Sequence, residues 1–231
     1  FAALDAMFLR EVDPGETMEL VSILNKYDNI ILAEQIIRND DKAVEVIPGL
    51  RHDSLRSKQS GFVNFPSATG TFRTIRTVTP FETIGTQEHR AFGVEIAAHV
   101  SPDDVQYLRS RGNENESINY QKLNSFVRVD FPQVLDTTIS IDFMSGKIIL
   151  FGYLGEYLND KNSYDDRYFT PVNKRYAGKS FPDMFGVEVH ANVLSMILHR
   201  DYVTSMSTGV NIVLSWIFCC TVIMLFTLID A

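Results

Sequence analysis

Asn29 to Ile37, NIILAEQII, is the stretch that decides the fold. Its apolar start is continuous rather than alternating, the pattern of a strand buried on both faces. A helix is expected just before it. Asp13-Pro14 supplies an N-cap carboxylate followed by proline at the first helical position. Met18, Leu20, Val21, Ile23 and Leu24 give that helix its buried side, and Asp28-Asn29 ends it. Ahead of the helix, Leu4 to Phe8 reads as a short apolar strand with Asp5 set among the aliphatics. The order strand, helix, strand predicts an α/β domain whose sheet is at least partly parallel.

Working downstream, Gly61 to Phe65 and Thr71 to Val78 flank the turn residues PSATG and predict a hairpin, with Phe72 turned to the core. Phe92 to Val100 and the capped stretch opening Ser101-Pro102-Asp103 predict two short helices. RSRGNENES, Arg109 to Ser117, has no apolar residue and predicts a surface loop. Lys147 to Tyr153, KIILFGY, reads as the strongest central strand. About thirty residues of loop follow, then a helix from Gly186 to His199. The fold expected is a mixed, partly parallel central sheet flanked by helices and followed by a C-terminal transmembrane helix.

That last helix rests on Val210 to Ile229, a run without charge whose polar residues are Asn211, Ser215, Thr221 and Thr227. A helix of about twenty residues is about 30 Å long and matches the hydrocarbon thickness of a bilayer. A globular helix of this length normally keeps a polar face, and this one has none of any width. The expected division is therefore a folded domain over 1–205 and a membrane helix over 210–229. The 231 residues are 45% hydrophobic and 22% charged, an ordinary globular balance that excludes disorder. A net charge of −8 argues against a nucleic-acid-binding surface. The 2 cysteines, adjacent at Cys219 and Cys220, build neither a disulfide framework nor a thiolate zinc site, and near a bilayer centre they act as small apolar residues.

The loop from Tyr153 to Tyr176 carries Tyr153, Tyr157, Tyr164, Tyr168, Tyr176 and Phe169, together with Asp160, Asp165, Asp166 and Glu156. Such aromatic content supplies the buried area that ordering a long loop requires. Its two readings are a crossover pinned to the sheet by tyrosines and a lip that binds a ligand or partner. In the helix that follows, Glu188, Asn192, Ser195 and His199 recur at helical spacing and form one polar stripe. His190 is rotated by about 200° from that stripe, into the apolar arc with Leu194 and Ile197. A satisfied core histidine and a ligand-facing one are both open there. Replacing His190 is expected to cost more stability than replacing Asn192, unless the polar stripe docks on the tyrosine loop.

No catalytic constellation assembles. His52, His89, His99, His190 and His199 share no metal-ligand spacing, and the chain has no G-x-S-x-G, P-loop or G-x-G-x-x-G. Asp5, Asp165 and Asp166 can meet at strand ends, where open α/β sheets take their ligands. The alternative for Asp165-Asp166 is a turn or cap.

DDRYFTPVN (Asp165 to Asn173) followed by GKSFPDMFGVEVHANVLSMIL (Gly178 to Leu198) resembles the type-two CHASE domain, the cyclase/histidine-kinase-associated sensory extracellular domain. GKIILFGYLGE resembles that family's last core strand. FAALDAMFLREVDPGE and NIILAEQ resemble its earlier strand, acidic turn, helix and strand. GFVNFP with GTFRTIRTVTPF resembles its hairpin carrying basic residues. The resemblance implies an extracytoplasmic sensor, periplasmic or extracellular in a bacterial cell, held by one membrane helix before the domain and usually three after it. A kinase or cyclase output often follows. By the same likeness, the family's first strand, the helix after it and an N-terminal anchor would lie before Phe1, and only the first trailing helix is included.

The function expected is a membrane-anchored extracytoplasmic domain that binds a small-molecule or envelope ligand and transmits its presence through membrane helices. The ligand-binding candidates are Asp5, Asp165, Asp166, Arg167, Thr170 and His190, with Ser205 to Gly209 as the transmitting joint. No metal or cofactor is expected. The expected partners besides the ligand are the lipid bilayer and a homodimer or signalling partner in the membrane, with no nucleic acid. An anchored hydrolase-like enzyme and an envelope scaffold are the alternatives.

Overall fold

The computed structural model describes residues 1–8, 14–38, 44–55, 57–66, 74–121, 125–136, 138, 140–155, 165–173, 181–204 and 206–229, with the backbone alone at 14, 208, 228 and 229. Strand β1 (Ala2–Asp5) ends at Asp5 rather than running on to Phe8. Helix α1 (Pro14–Lys26) starts at the proline, with Glu16 in its first turn and Lys26 in its last, matching the helix dipole. The N-cap position, Asp13, lies outside the described residues. Strand β2 (Ile30–Arg38) pairs with β1 in parallel, Ala3 opposite Ile31. The predicted strand, helix, strand unit is therefore present. On α1 only Val21 and Leu24 are buried, against Leu32, Leu50 and Leu55, whereas Met18 and Ile23 are exposed. A single helix on this face of the sheet buries a narrower stripe than its apolar content suggests.

Strand β3 (Val44–Pro48) runs antiparallel to the second half of β2. Strand β4 (Ser60–Phe62) runs parallel to β2 at Leu32–Glu34. Among the described residues, β4 does not pair with the segment that follows it. Thr74 instead bridges Phe169, and β5 (Thr77–Val78) pairs with residues 116–117. Alternation specifies which face of a strand is buried and leaves its partner open. The turn PSATG and Phe72 lie outside the described residues. A small ribbon of β6 (Phe81–Ile84) and β7 (Gln87–Arg90) then leads into helix α2 (Phe92–Val100).

Helix α2 is the centre of the core, with Phe92, Val94, Ile96 and Ala97 fully buried. Two glycines allow its approach. A Cβ on Gly61 would lie 2.7 Å from the Phe92 Cα, and one on Gly93 would lie 3.1 Å from Val193 Cγ1. Helix α3 (Pro102–Ser110) follows, as expected from Ser101-Pro102. The polar run after it is only partly surface. Arg109 and Ser110 complete α3, and β8 (Glu116–Ser117) buries Glu116, which accepts from Arg111 Nε at 2.7 Å and Asn113 Nδ2 at 2.9 Å. A polar composition thus hides a buried carboxylate whose partners are its own neighbours.

Helix α4 (Phe131–Leu135) is short and begins at Asp130, whose carboxylate accepts from the Phe131 N–H at 2.8 Å. Strand β9 (Ile149–Gly152) pairs in parallel with β1. It closes the described order β3-β2-β1-β9, so KIILFGY is an edge strand of the described sheet and not a central one. Its apolar run has another use. The face of β9 packs on the helix of residues 186–198, where a Cβ on Gly152 would lie 2.6 Å from Val187 Cβ.

The long crossover contains a two-stranded ladder, β10 (Arg167–Tyr168) with β11 (Met184–Phe185). Helix α5 (Gly186–Leu198) follows and packs on α2, α3 and β9. Only the first half of its polar stripe is covered. Glu188 and Asn192 are buried, while Ser195 and His199 bond to each other at the far end. The last helix, α6 (Thr208–Ile229), contains an apolar window, Gly209–Thr227, with mean hydropathy 2.2 and no part buried in the domain. It is long and apolar enough to cross a membrane. The architecture is mixed α/β, with a mixed parallel and antiparallel central sheet and this apolar helix at its C-terminal end.

Candidate functional site

The parallel strands β1, β4 and β9 all end on one side of the sheet, where open α/β sheets bind ligands. A cleft of 980 Å³ opens there, within the size range of small-molecule sites. Asp5 enters it from the end of β1, Phe65 from the chain beyond β4 and Phe151 from β9. Phe131 of α4 forms part of the rim, and Tyr168 of β10 faces the same space. The first residue of α5, Gly186, and its His190 line the floor.

Asp5 and Asp166 are brought together with Tyr168 and His190. Burial and the nearby Asp166 carboxylate push the Asp5 carboxyl up to about 7. Burial also raises Asp166, partly opposed by hydrogen bonds from the Tyr168 hydroxyl and the Gly186 amide. Tyr168 is driven up to about 12 by burial and the adjacent acids. His190 is held down at about 3, because burial penalises the imidazolium. Its Nε2 lies 4.0 Å from Asp5 Oδ2, beyond hydrogen-bonding distance. The ring stacks on Phe65 at 4.5 Å and meets the edge of Phe92 at 5.3 Å. No hydrogen bond to either imidazole nitrogen is present among the described residues. With its carboxyl near 7, Asp5 is about half protonated at neutral pH, whereas His190 is neutral.

Asp166 is placed by an unusual backbone. Its φ is +51°, in the left-handed region that aspartate tolerates better than most residues. Its carbonyl accepts from the Gly186 N–H at 3.0 Å, and its carboxyl lies over the first turn of α5. A Cβ at residue 186 would come within 2.8 Å of both carboxyl oxygens, so a side chain there would push the Asp166 carboxyl out of its place.

The other sequence candidates separate from this group. Asp165 is exposed and occupies the turn before β10, outside the cleft. Arg167 lies over the Phe185 ring at 4.4 Å and does not line the cleft. Thr170 is buried, and both its N–H and its hydroxyl donate to the Asp183 carboxylate. Asn173 donates to the same carboxylate at 3.2 Å. The Thr-Pro element is thus a clasp that holds β10 to β11. Of the proposed joint, Ser207 accepts from Asn211 N–H at 3.0 Å and opens α6, whereas Ser205 lies outside the described residues.

Sequence reasoning missed Tyr168, Gly186, Phe65 and α4 as parts of the site. Tyr168 carries a weak signal, as one of the aromatic residues that load this loop two positions after Asp166. Gly186 ahead of an apolar helix is a second. Helix α4 is marked by Asp130, Pro132 and Gln133, an N-cap, an early proline and a capping-box partner. Among the described residues, no three His, Cys, Asp or Glu side chains are grouped to hold a metal ion.

An α/β domain with a ligand-sized cleft at its strand ends, joined to one apolar helix, has the form of a membrane-associated binding domain. The CHASE2 domain family model matches residues 3–229, nearly the whole chain, and the chain belongs to that family. CHASE2 domains are sensory extracellular domains rather than catalytic ones, so the chain carries a sensory domain. Searches of curated proteins and of solved structures gave no match.

Proposed function

We propose that the domain lies outside the cytoplasm, anchored in the bilayer by α6, and that a ligand entering the cleft displaces α5 and thereby α6. The observation that carries this reading is the position of α5. Its first turn forms the cleft floor through Gly186 and His190, and only residues 199–207 separate its end from α6. Thirteen residues make α5 about 20 Å long, so one rigid element runs from the cleft to the 199–207 segment that precedes α6. Its far end is fixed to the domain rather than loose. Arg200 Nε donates to Asp104 at 2.7 Å, and Asn119 Nδ2 donates to the Asp201 carbonyl at 3.2 Å. A ligand shifts such an element only if it binds the two positions with different affinity, and the α5 first turn contributes directly to the site.

Topology is the first test. An alkaline phosphatase fusion after Asp201 should be active, and a cytoplasmic fluorescent reporter at the same position should stay dark. The opposite pattern would place the domain in the cytoplasm and end this reading.

A further inference from the structure

We infer that the cleft takes a small organic cation, an ammonium group carried on an apolar body, with the charge seated between Asp5 and Asp166 beside His190. The inference rests on the reading of the cleft as the receiving site and specifies its ligand class. Its first support is the charge of the walls. The described lining includes Asp5, Asp130 and Asp166 and contains no lysine or arginine. Asp130 is engaged in capping α4 and Asp166 accepts from Tyr168 and Gly186 while keeping acceptor capacity, which leaves Asp5 as the carboxyl with no hydrogen bond among the described residues and Asp166 beside it.

The second support is independent of the acids. His190 is 3% exposed, lines the cleft and has no hydrogen-bond partner among the described residues. Buried polar atoms are nearly always paired, and an open one in a cavity marks a place where a ligand or water supplies the partner. Because burial keeps the imidazole neutral, it offers one nitrogen as an acceptor and does not neutralise Asp5. Asp5, whose side chain is 12% exposed, likewise has no hydrogen bond among the described residues. An N–H donor with positive charge satisfies both groups at once. An anion would face two carboxyls with no cation to receive it.

The walls decide between a metal ion and an organic cation. No three ligating side chains converge for a metal. Phe65, Phe131, Phe151, Tyr153 and Tyr168 instead provide ring faces and apolar area for a hydrocarbon body and its ammonium head. Binding such a cation favours the ionised form of Asp5. Affinity should then fall towards tenfold per pH unit below about 7, with Asp166, Asp130, Tyr153, Tyr168 and His190 as the other titratable groups facing the site.

The test uses the full chain in lipid nanodiscs, titrated calorimetrically with phenethylammonium, 2-phenylethanol and phenylacetate, each corrected against empty nanodiscs. Phenethylammonium should bind at least tenfold tighter than the alcohol, and phenylacetate should not saturate. Asp5→Asn and, separately, Asp166→Asn should each weaken the ammonium at least tenfold, while Asp165→Asn, outside the cleft, should leave it unchanged. Equal binding of ammonium and alcohol, with both cleft variants neutral, would overturn the charge assignment and leave the cleft as a receiving site for apolar ligands. Preference for phenylacetate, or no saturation by any probe, would also overturn it. In either case the coupling of cleft to anchor is judged separately, by covalent occupation of the cleft.

Discussion

Asp5→Asn should make the domain more stable above pH 7, by up to about 4 kcal/mol, and should change the shape of its pH profile. The Asp5 carboxyl is raised from 3.8 to about 7, so between these values the folded chain holds a proton that the unfolded chain has released. Stability contributed by this group therefore falls as pH rises from about 4 to about 7, and stays low above. His190 has the opposite sign. Its folded value of about 3 lies below the ordinary 6.5, so the unfolded chain holds the extra proton between them, and stability rises with pH over that window. The two slopes, each about 1.4 kcal/mol per pH unit, oppose one another between about pH 4 and 6.5. The wild-type profile should be nearly flat there. Asp5→Asn should expose the rising limb, and His190→Phe the falling one. Chemical denaturation followed by circular dichroism from pH 4 to 8 reads all three. An Asp5→Asn profile parallel to the wild type would mean that Asp5 is not buried as described.

Asn192→Ala should destabilise the domain by about 2–4 kcal/mol. The side chain is 1% exposed, accepts from the Gln121 N–H at 2.7 Å and donates to the Glu188 carbonyl at 2.8 Å. Alanine leaves a buried amide proton without its acceptor and a cavity between α5 and the chain at residue 121. Ser195→Ala, farther along the same stripe, should stay within about 0.5 kcal/mol of wild type. Matching denaturation midpoints for the two variants would show that the stripe carries no packing.

Asn192 also shows where sequence reading runs out. The stripe Glu188, Asn192, Ser195, His199 was legible from helical spacing, and the helix itself is where it was expected. What covers the stripe is set by residues 60 to 80 positions away, Gln121 and Arg128, and no periodicity encodes that. The same limit explains β9, whose apolar run reflects α5 and the cleft rather than a second flanking strand. It also explains β4, which pairs with β2 although its neighbours in sequence offered a turn. Local signals were sufficient for α2, α3, α5, the β1-α1-β2 unit and the apolar helix, because each is specified by its own residues. Around the cleft, Asp5 was legible as a carboxylate at a strand end and His190 by its place in the apolar arc, whereas Asp166 lies in the turn before β10, the alternative reading of Asp165-Asp166. Arg167 and Thr170 lie next to Asp166 in sequence and nevertheless hold the β10–β11 ladder instead of lining the cleft.

The claim that the cleft is coupled to the anchor through α5 is tested most directly by filling the cleft covalently. Phe151→Cys, on a background of Cys219→Ala and Cys220→Ala, places a single thiol at the cleft for reaction with N-phenylmaleimide in the full chain in nanodiscs. Amide hydrogen exchange is then compared with and without the adduct at His199, Arg200 and Asp201, whose N–H groups donate to the carbonyls of Ser195, Ile197 and Met196 at the far end of α5. Coupling predicts at least a fivefold change in exchange at these amides. A change confined to the residues around the cleft, with the end of α5 unaltered, would contradict it.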